Sequence, residues 1–280
     1  MIRPGGEAVE TEDRTMLIPE ENEAAEDLQP GPREDETLED LQLGGLVLLQ
    51  KKNGFRFGMD SVLLADFAGI RKNDVVADFG TGSGVLPLLL AGREKGKRFI
   101  AFEIQKEMAE MAERTMKLNG LSDRVTIVNR DAVDACAEMD RCSVDAVICN
   151  PPYGKAGASL RNPSENRAIA RHQEPEGLAG FFRSGFNILK GKGRFAVVYP
   201  ADRMLELMDM MRDGGLEPKR FRLVYPYADR AARLALVEGV KDAKPGLSTM
   251  PPMIIYKEPG VLTNELKSVY HIGGMDQSEQ

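Results

Sequence analysis

The chain has 280 residues, 42% of them hydrophobic, enough to bury the core of one full domain. Its net charge of −7 is unevenly spread: residues 1–40 hold 14 acidic and 3 basic side chains, a net −11, while the remainder holds 34 basic and 30 acidic ones, a net +4. Apolar runs stay short of the roughly 18 residues of a membrane span, no secretory signal opens the chain, and three cysteines with two histidines argue against a disulfide framework or a histidine metal site; we expect a cytoplasmic protein without metal.

Taken in chain order, residues 1–43 form an acidic, proline-bearing stretch free of aromatic side chains, for which disorder is expected. It reads as a solvating extension, or as a competitor with nucleic acid for the basic surface of the domain. A helix is predicted over 59–69. A short β-branched strand, 75–79, then enters a glycine turn, Asp78-Phe79-Gly80-Thr81-Gly82-Ser83-Gly84, and a helix over 84–93. A strand over 98–103 ends in Glu103 and leads into a helix over 105–118. A strand over 124–129 ends near Asp131-Ala132, and an apolar strand, 144–149, runs into Asn150-Pro151-Pro152-Tyr153. Helices at 176–189 and 202–213 and strands at 194–199, 217–225 and within 232–238 complete the pattern, with Gly214-Gly215 closing the last helix. Alternation of strands and helices predicts an α/β, Rossmann-like fold: a mostly parallel seven-stranded sheet, an antiparallel hairpin at one edge and helices on both faces.

The glycine turn carries the first chemical signal. Its Gly-x-Gly-x-Gly spacing differs from the Gly-x-Gly-x-x-Gly of pyrophosphate binders, and Asp78 would repel a pyrophosphate while receiving an ammonium. Both points favour S-adenosylmethionine, with Gly80, Gly82 and Gly84 letting the backbone approach it; a strand-to-helix turn without a ligand is the alternative. Glu103 sits where a strand-terminal acid accepts from ribose hydroxyls, and it could equally cap the helix beginning near Gln105. Asp131 could accept from an adenine amino group while the Ala132 N–H meets a ring nitrogen, or be a plain loop aspartate.

The second signal is Asn150-Pro151-Pro152-Tyr153. At the carboxyl end of a strand it suits a flat ring held by an exocyclic amino group. Asn150 offers a side-chain carbonyl, Pro151 keeps a free C=O, Pro152 fixes the turn and Tyr153 offers a stacking face. An ordinary Asn-Pro-Pro turn is the alternative.

Together these parts resemble a class I S-adenosylmethionine-dependent methyltransferase acting on amino groups. More narrowly, the chain resembles the family that methylates N6 of the adenine 3′ of the anticodon in valine tRNA. The closer match rests on Phe55-Arg56-Phe57-Gly58-Met59-Asp60-Ser61-Val62-Leu63-Leu64-Ala65, the glycine turn, Asn150 to Tyr153, the Arg167 to His172 stretch and the ending from Ile254 to Tyr270. It covers about residues 44–272, leaving 273–280 as a flexible end. It implies S-adenosylmethionine as cofactor, RNA as partner and no membrane; a monomer or weak homodimer is expected.

Substrate contacts are expected from Phe57 and from the basic stretch 154–173, through Lys155, Arg161, Arg167, Arg171 and His172. Lys51, Lys52, Arg56, Arg220, Arg222 and Arg230 are further candidates for a basic surface. A protein glutamine N5-methyltransferase, an rRNA or DNA adenine methyltransferase, and a non-catalytic nucleic-acid-binding protein remain alternatives.

Overall fold

The structure, a computed structural model, describes residues 31–53, 58–152 and 175–270. It opens with an antiparallel hairpin, β1 (Glu36–Asp40) and β2 (Val47–Lys51). Then follow α1 (Met59–Phe67), β3 (Val75–Phe79), α2 (Val85–Gly92), β4 (Arg98–Phe102), α3 (Lys106–Leu118), β5 (Val125–Val128), the short α4 (Ala135–Glu138) and β6 (Val144–Cys149). The second half comprises α5 (Pro175–Ile188), β7 (Leu189–Pro200), α6 (Met204–Asp213), β8 (Leu216–Tyr225), β9 (Leu234–Lys241), the two-residue strands β10 (Ser248–Thr249) and β11 (Met253–Ile254), a small pair β12 (Tyr256–Glu258) and β13 (Val261–Leu262), and α7 (Asn264–Val269).

The main sheet runs β10-β8-β9-β7-β6-β3-β4-β5, with β11 also on β8. β3 to β7 are parallel; β9 is antiparallel and lies between β7 and β8. The seven expected strands are therefore present, but the β8–β9 hairpin is not the last element at its edge, because β10 and β11 pair with β8 in parallel. Two-residue strands carry too little periodic pattern to be read from sequence.

Each face of the sheet packs one apolar layer. α1, α2, α7 and Met116 of α3 bury Val62, Leu64, Leu88 and Leu266 against Val76 and Ile148. α5 and α6 bury Phe181, Phe182, Leu207 and Met211 against Ala77, Phe79 and Phe195. On that second face the rings of Phe102, Phe181 and Phe195 all meet Phe79 edge-on, with centroids 5.6–6.0 Å apart. Cys149 is fully buried there as a small apolar residue.

The expected boundary of the acidic extension needs correction. Residues 36–40, placed within the disordered stretch 1–43, instead form β1, and Glu36 is 3% exposed. Its carboxylate receives two hydrogen bonds, 2.9 and 2.6 Å, from the buried Arg114 guanidinium on α3. β2 is tied to the same helix, since Asn119 accepts from the Val47 N–H and donates to the Val47 carbonyl. Net charge suggested a solvated run; one specific partner 78 residues away in sequence makes the segment part of the folded body. The tail before residue 31 and the end after residue 270 lie outside the described residues.

Candidate active site

Strand parity assembles the site. Side chains alternate between faces along a strand. Val76 packs in one layer and Ala77 and Phe79 in the other, so Asp78 points to the Val76 side. The same alternation carries Glu103, beyond Ala101, and Asn150, beyond Ile148, to that face. Pairing sets Asp78 between Ala101 of β4 and Ile148 of β6. Glu103 and Asn150 therefore flank the carboxyl end of β3 at one strand spacing on either side, about 4.8 Å each. This is also where the strand order reverses, since the chain leaves β3 toward β4 and β5 and returns on its other side at β6.

The turn after β3 closes over β4. Gly80 and Thr81 donate their N–H groups to the Phe102 carbonyl at 3.0 and 2.9 Å. Gly82, at φ 59°, donates to Glu103 Oε2 at 2.9 Å. Glu103 Oε1 accepts from the Gln105 N–H at 2.8 Å, directly before α3. Oε1 also accepts from Gln105 Nε2 at 3.5 Å, so Glu103 braces the glycine turn against the next helix with acceptor capacity left on Oε2. Burial raises its pKa, and the backbone donors of Gln105 and Gly82 work against that rise. Gly84 has a packing reason: at φ +88°, a Cβ there would lie 2.5 Å from Met116 Cε of α3.

Asp78 is 0% exposed, and neither carboxylate oxygen meets a donor at hydrogen-bond geometry. Its pKa is pushed up to about 7, chiefly by burial and further by the Glu103 charge; the nearby Thr81 hydroxyl eases it without a full hydrogen bond. A buried carboxylate in this state calls for a cation. Asp131, after β5, accepts from the Val133 N–H at 3.1 Å and caps a short turn, and buried Ala132 is anchored through its carbonyl by the Ser184 hydroxyl at 2.7 Å.

Asn150 donates through Nδ2 to the hydroxyl of Ser61 at 3.0 Å. Ser61, on α1, is 2% exposed. With Nδ2 turned toward this hydroxyl, Oδ1 is the group left to face a ligand. Pro151 is buried and Pro152 exposed. Sequence reading gave Ser61 no role, although a lone hydroxyl beside Val62-Leu63-Leu64-Ala65 was a signal that one buried position needed a polar partner. Phe57, Tyr153, Lys155, Arg161, Arg167, Arg171 and His172 lie outside the described residues, as does Arg56.

Three of the six candidates for the wider basic surface are corrected, while Lys52 stays exposed. Arg222 is 8% exposed and paired with Glu265. Arg220 lies over the Phe67 ring and pairs with Glu238 at 3.0 Å, and Lys51 pairs with Asp35 at 2.8 Å. Opposite charges distant in sequence claimed these cations. Arg230 remains exposed. Among the described residues no cluster of three or more His, Cys, Asp or Glu side chains is placed to hold a metal, and no helix is long and apolar enough to cross a membrane.

A parallel sheet with antiparallel β9 set between β7 and β8, and an acid, a glycine turn, a second acid and an asparagine along its switch point, define the class I methyltransferase architecture. The fold is shared with a crystal structure of a "predicted O-methyltransferase" from Agrobacterium tumefaciens, at a TM-score of 0.60 and 23% identity, over 76% of this chain and 96% of that one. The chain belongs to the methyltransferase small domain family, whose model matches residues 59–213. Similar relatives include a tRNA1(Val) (adenine(37)-N6)-methyltransferase of Porphyromonas gingivalis, 33% identical over 158 residues, which are 54% of this chain and 61% of that protein. A protein of the same name in Bacteroides fragilis is 30% identical over 173 residues, 62% of this chain and 72% of the relative. The match thus spans 61% of the length of the Porphyromonas relative.

S-adenosylmethionine fits the residues of this edge. The unpartnered Asp78 carboxylate suits its ammonium, the open side of Gly82, where the nearest neighbour to an added Cβ is Met108 Cε at 3.9 Å, leaves room for close backbone approach, and Glu103 keeps acceptor capacity for a diol.

Proposed function

We propose that this chain transfers a methyl group from S-adenosylmethionine to the exocyclic N6 of an adenine in RNA, and that the RNA is a valine tRNA with its target 3′ of the anticodon. The observation that carries the reading is the Ser61–Asn150 bond. With Nδ2 held at 3.0 Å by a buried hydroxyl, Asn150 presents an acceptor, which suits an amino group and disfavours a carbonyl. The names of the Porphyromonas and Bacteroides relatives support the choice of adenine and of tRNA.

The cofactor, when bound, supplies a methyl group on an electrophilic sulfonium. Asp78 receives its ammonium, Glu103 its ribose, and Asp131 with the Ala132 N–H its adenine. Asn150 Oδ1 and the Pro151 carbonyl take the two N–H bonds of the target amine. That grip draws the lone pair out of conjugation and aims it, so positioning carries the rate. A strong base is unnecessary, since the alkylated amine is acidic and loses its proton after transfer. Tyr153 stacks on the base, and the basic stretch 154–173 holds phosphates, both in keeping with a splayed loop nucleotide.

The test is incubation with labelled S-adenosylmethionine and, in parallel, total tRNA, ribosomal RNA, DNA and cell protein. N6-methyladenosine in the tRNA pool, mapped 3′ of the valine anticodon, is expected. Label confined to protein would place the acceptor on a protein side chain and overturn the reading.

A further inference from the structure

The edge of the sheet that carries Asn150 continues toward an aromatic stack which the reaction itself does not use. β9 is antiparallel to both β7 and β8, so β8 points the same way as β6 and β7. β11 is parallel to β8. Tyr225-Pro226-Tyr227 and Ile255-Tyr256 therefore emerge at the same edge as Asn150. Backbone bonds fix them there: the Ile255 N–H donates to the Tyr225 carbonyl at 2.9 Å and the Tyr256 N–H to the Pro226 carbonyl at 3.0 Å.

The rings of Tyr227 and Tyr256 lie 5.5 Å apart and 33° from parallel. Tyr256 also packs on the apolar layer beneath α1 and α7, which makes Tyr227 the outer member of a stack braced from below. The stack joins the candidate active site through neighbours. Tyr256, Tyr270 and Met59, the first residue of α1, pack on the same apolar layer, and burial, then the charges of Asp60 and Tyr256, push the Tyr270 pKa up to about 12. Asp60 adjoins Ser61, the partner of Asn150. Exposed Arg230 and Arg233 lie in the segment that follows Tyr227, their N–H groups bonded to the Tyr227 and Val224 carbonyls, and exposed Lys257 follows Tyr256, with Asp229 and Glu258 as the acids of these segments.

We propose that Tyr227 is a stacking platform for a base of the same RNA strand, a few nucleotides from the adenine held by Asn150; this rests on the reading of that site given above. From β6 to β8 is three strand steps, about 14 Å. At about 3.4 Å per stacked nucleotide, that spans roughly four positions. A flat ring braced by a second ring loses little freedom when a base settles on it, and arginines within reach match the phosphates on either side. The platform gives the protein a hold on single-stranded RNA beyond the target base, as a loop substrate requires.

The test is equilibrium binding of a fluorescently labelled RNA hairpin with an adenine-containing loop, followed by anisotropy, with methyl transfer to the same hairpin measured in parallel. Tyr227→Ala should weaken binding about tenfold or more, Tyr227→Phe should bind within about twofold of the unsubstituted protein, and thermal melting should show all three folded. Replacing Arg230 and Arg233 by Ala together should reduce the slope of log affinity on log salt by about 2. Unchanged affinity in Tyr227→Ala, with methyl transfer intact, overturns the platform and leaves the active-site reading standing. Weakened binding in Tyr227→Ala supports the platform whether or not the hairpin is methylated, since the reaction is decided by the tRNA incubation above. An unsubstituted protein that does not bind the hairpin overturns the platform.

Discussion

Asp78→Asn separates the thermodynamics of the proposed cofactor pocket from its function. The carboxylate is fully buried without a hydrogen-bond donor, and its pKa is pushed up from 3.8 to about 7. For an acid raised in this way the folded state binds the extra proton. Its effect on stability is nil below about pH 4, grows unfavourable as pH climbs from 4 to 7, and is constant above. A shift of about three pH units at about 1.36 kcal/mol each amounts to roughly 4 kcal/mol lost at pH 8. An asparagine has no charge to bury. Without cofactor, Asp78→Asn should therefore melt at nearly the same temperature as the unsubstituted protein at pH 4.5 and several degrees higher at pH 8. Cofactor binding should move the opposite way, because the ammonium loses its partner. In the unsubstituted protein, S-adenosylmethionine affinity by calorimetry should rise between pH 5.5 and 7 as Asp78 ionises, before the ligand's own α-amino group, with a pKa of about 7.7–8.0, begins to lose its proton. In Asp78→Asn that rise should vanish. A variant that melts lower at pH 8, or retains the pH-dependent affinity, would refute the assignment of a strained, cation-seeking carboxylate.

The remaining expectations are shorter. Asn150→Ala should abolish turnover in the labelled-methyl assay while S-adenosylmethionine titration stays near normal; full turnover would remove the amino-holding role. Gly82→Val places a β-branched residue at φ 59°, costing about 1–2 kcal/mol, and should weaken cofactor binding severely; an unchanged titration would contradict the pocket. Glu36→Ala strips the partner from the buried Arg114 and should destabilise by about 3–5 kcal/mol in urea unfolding at pH 7. Burial works to raise the Glu36 pKa, but Arg114, the Arg33 amide and Lys51 outweigh it and hold it low. The contribution of this pair is full above about pH 4.5 and declines as pH falls toward the lowered pKa of the folded state, so Glu36→Ala should cost less at pH 3 than at pH 7; an equal cost at pH 3 would rule out the ionic origin.

The central strands β3, β4 and β6 and the helices α2, α3 and α5 were legible within a residue or two, because short apolar runs mark the strands and α2, and apolar side chains recurring at helical spacing mark α3 and α5. The candidate residues Asp78, Glu103 and Asn150 were legible for a related reason: each ends such a strand, and strand ends in an open parallel sheet converge. The hairpin β1–β2 was not, since Glu36 and Asp40 read as solvated acids until Arg114 is brought to them. Nor were Ser61 and the Tyr227–Tyr256 stack, whose meaning depends on partners far away in sequence.

By itself, then, the sequence determined the strand–turn–helix units and the residues that terminate them, because backbone conformation and apolar periodicity act over a few neighbouring residues. Tertiary structure alone decided which way Asn150 turns its amide, which cations remain available and which face collects Asp78, Glu103 and Asn150. Those outcomes depend on strand order and register, and on the rule that a buried charge or amide must find its partner wherever the fold brings one within about 3 Å.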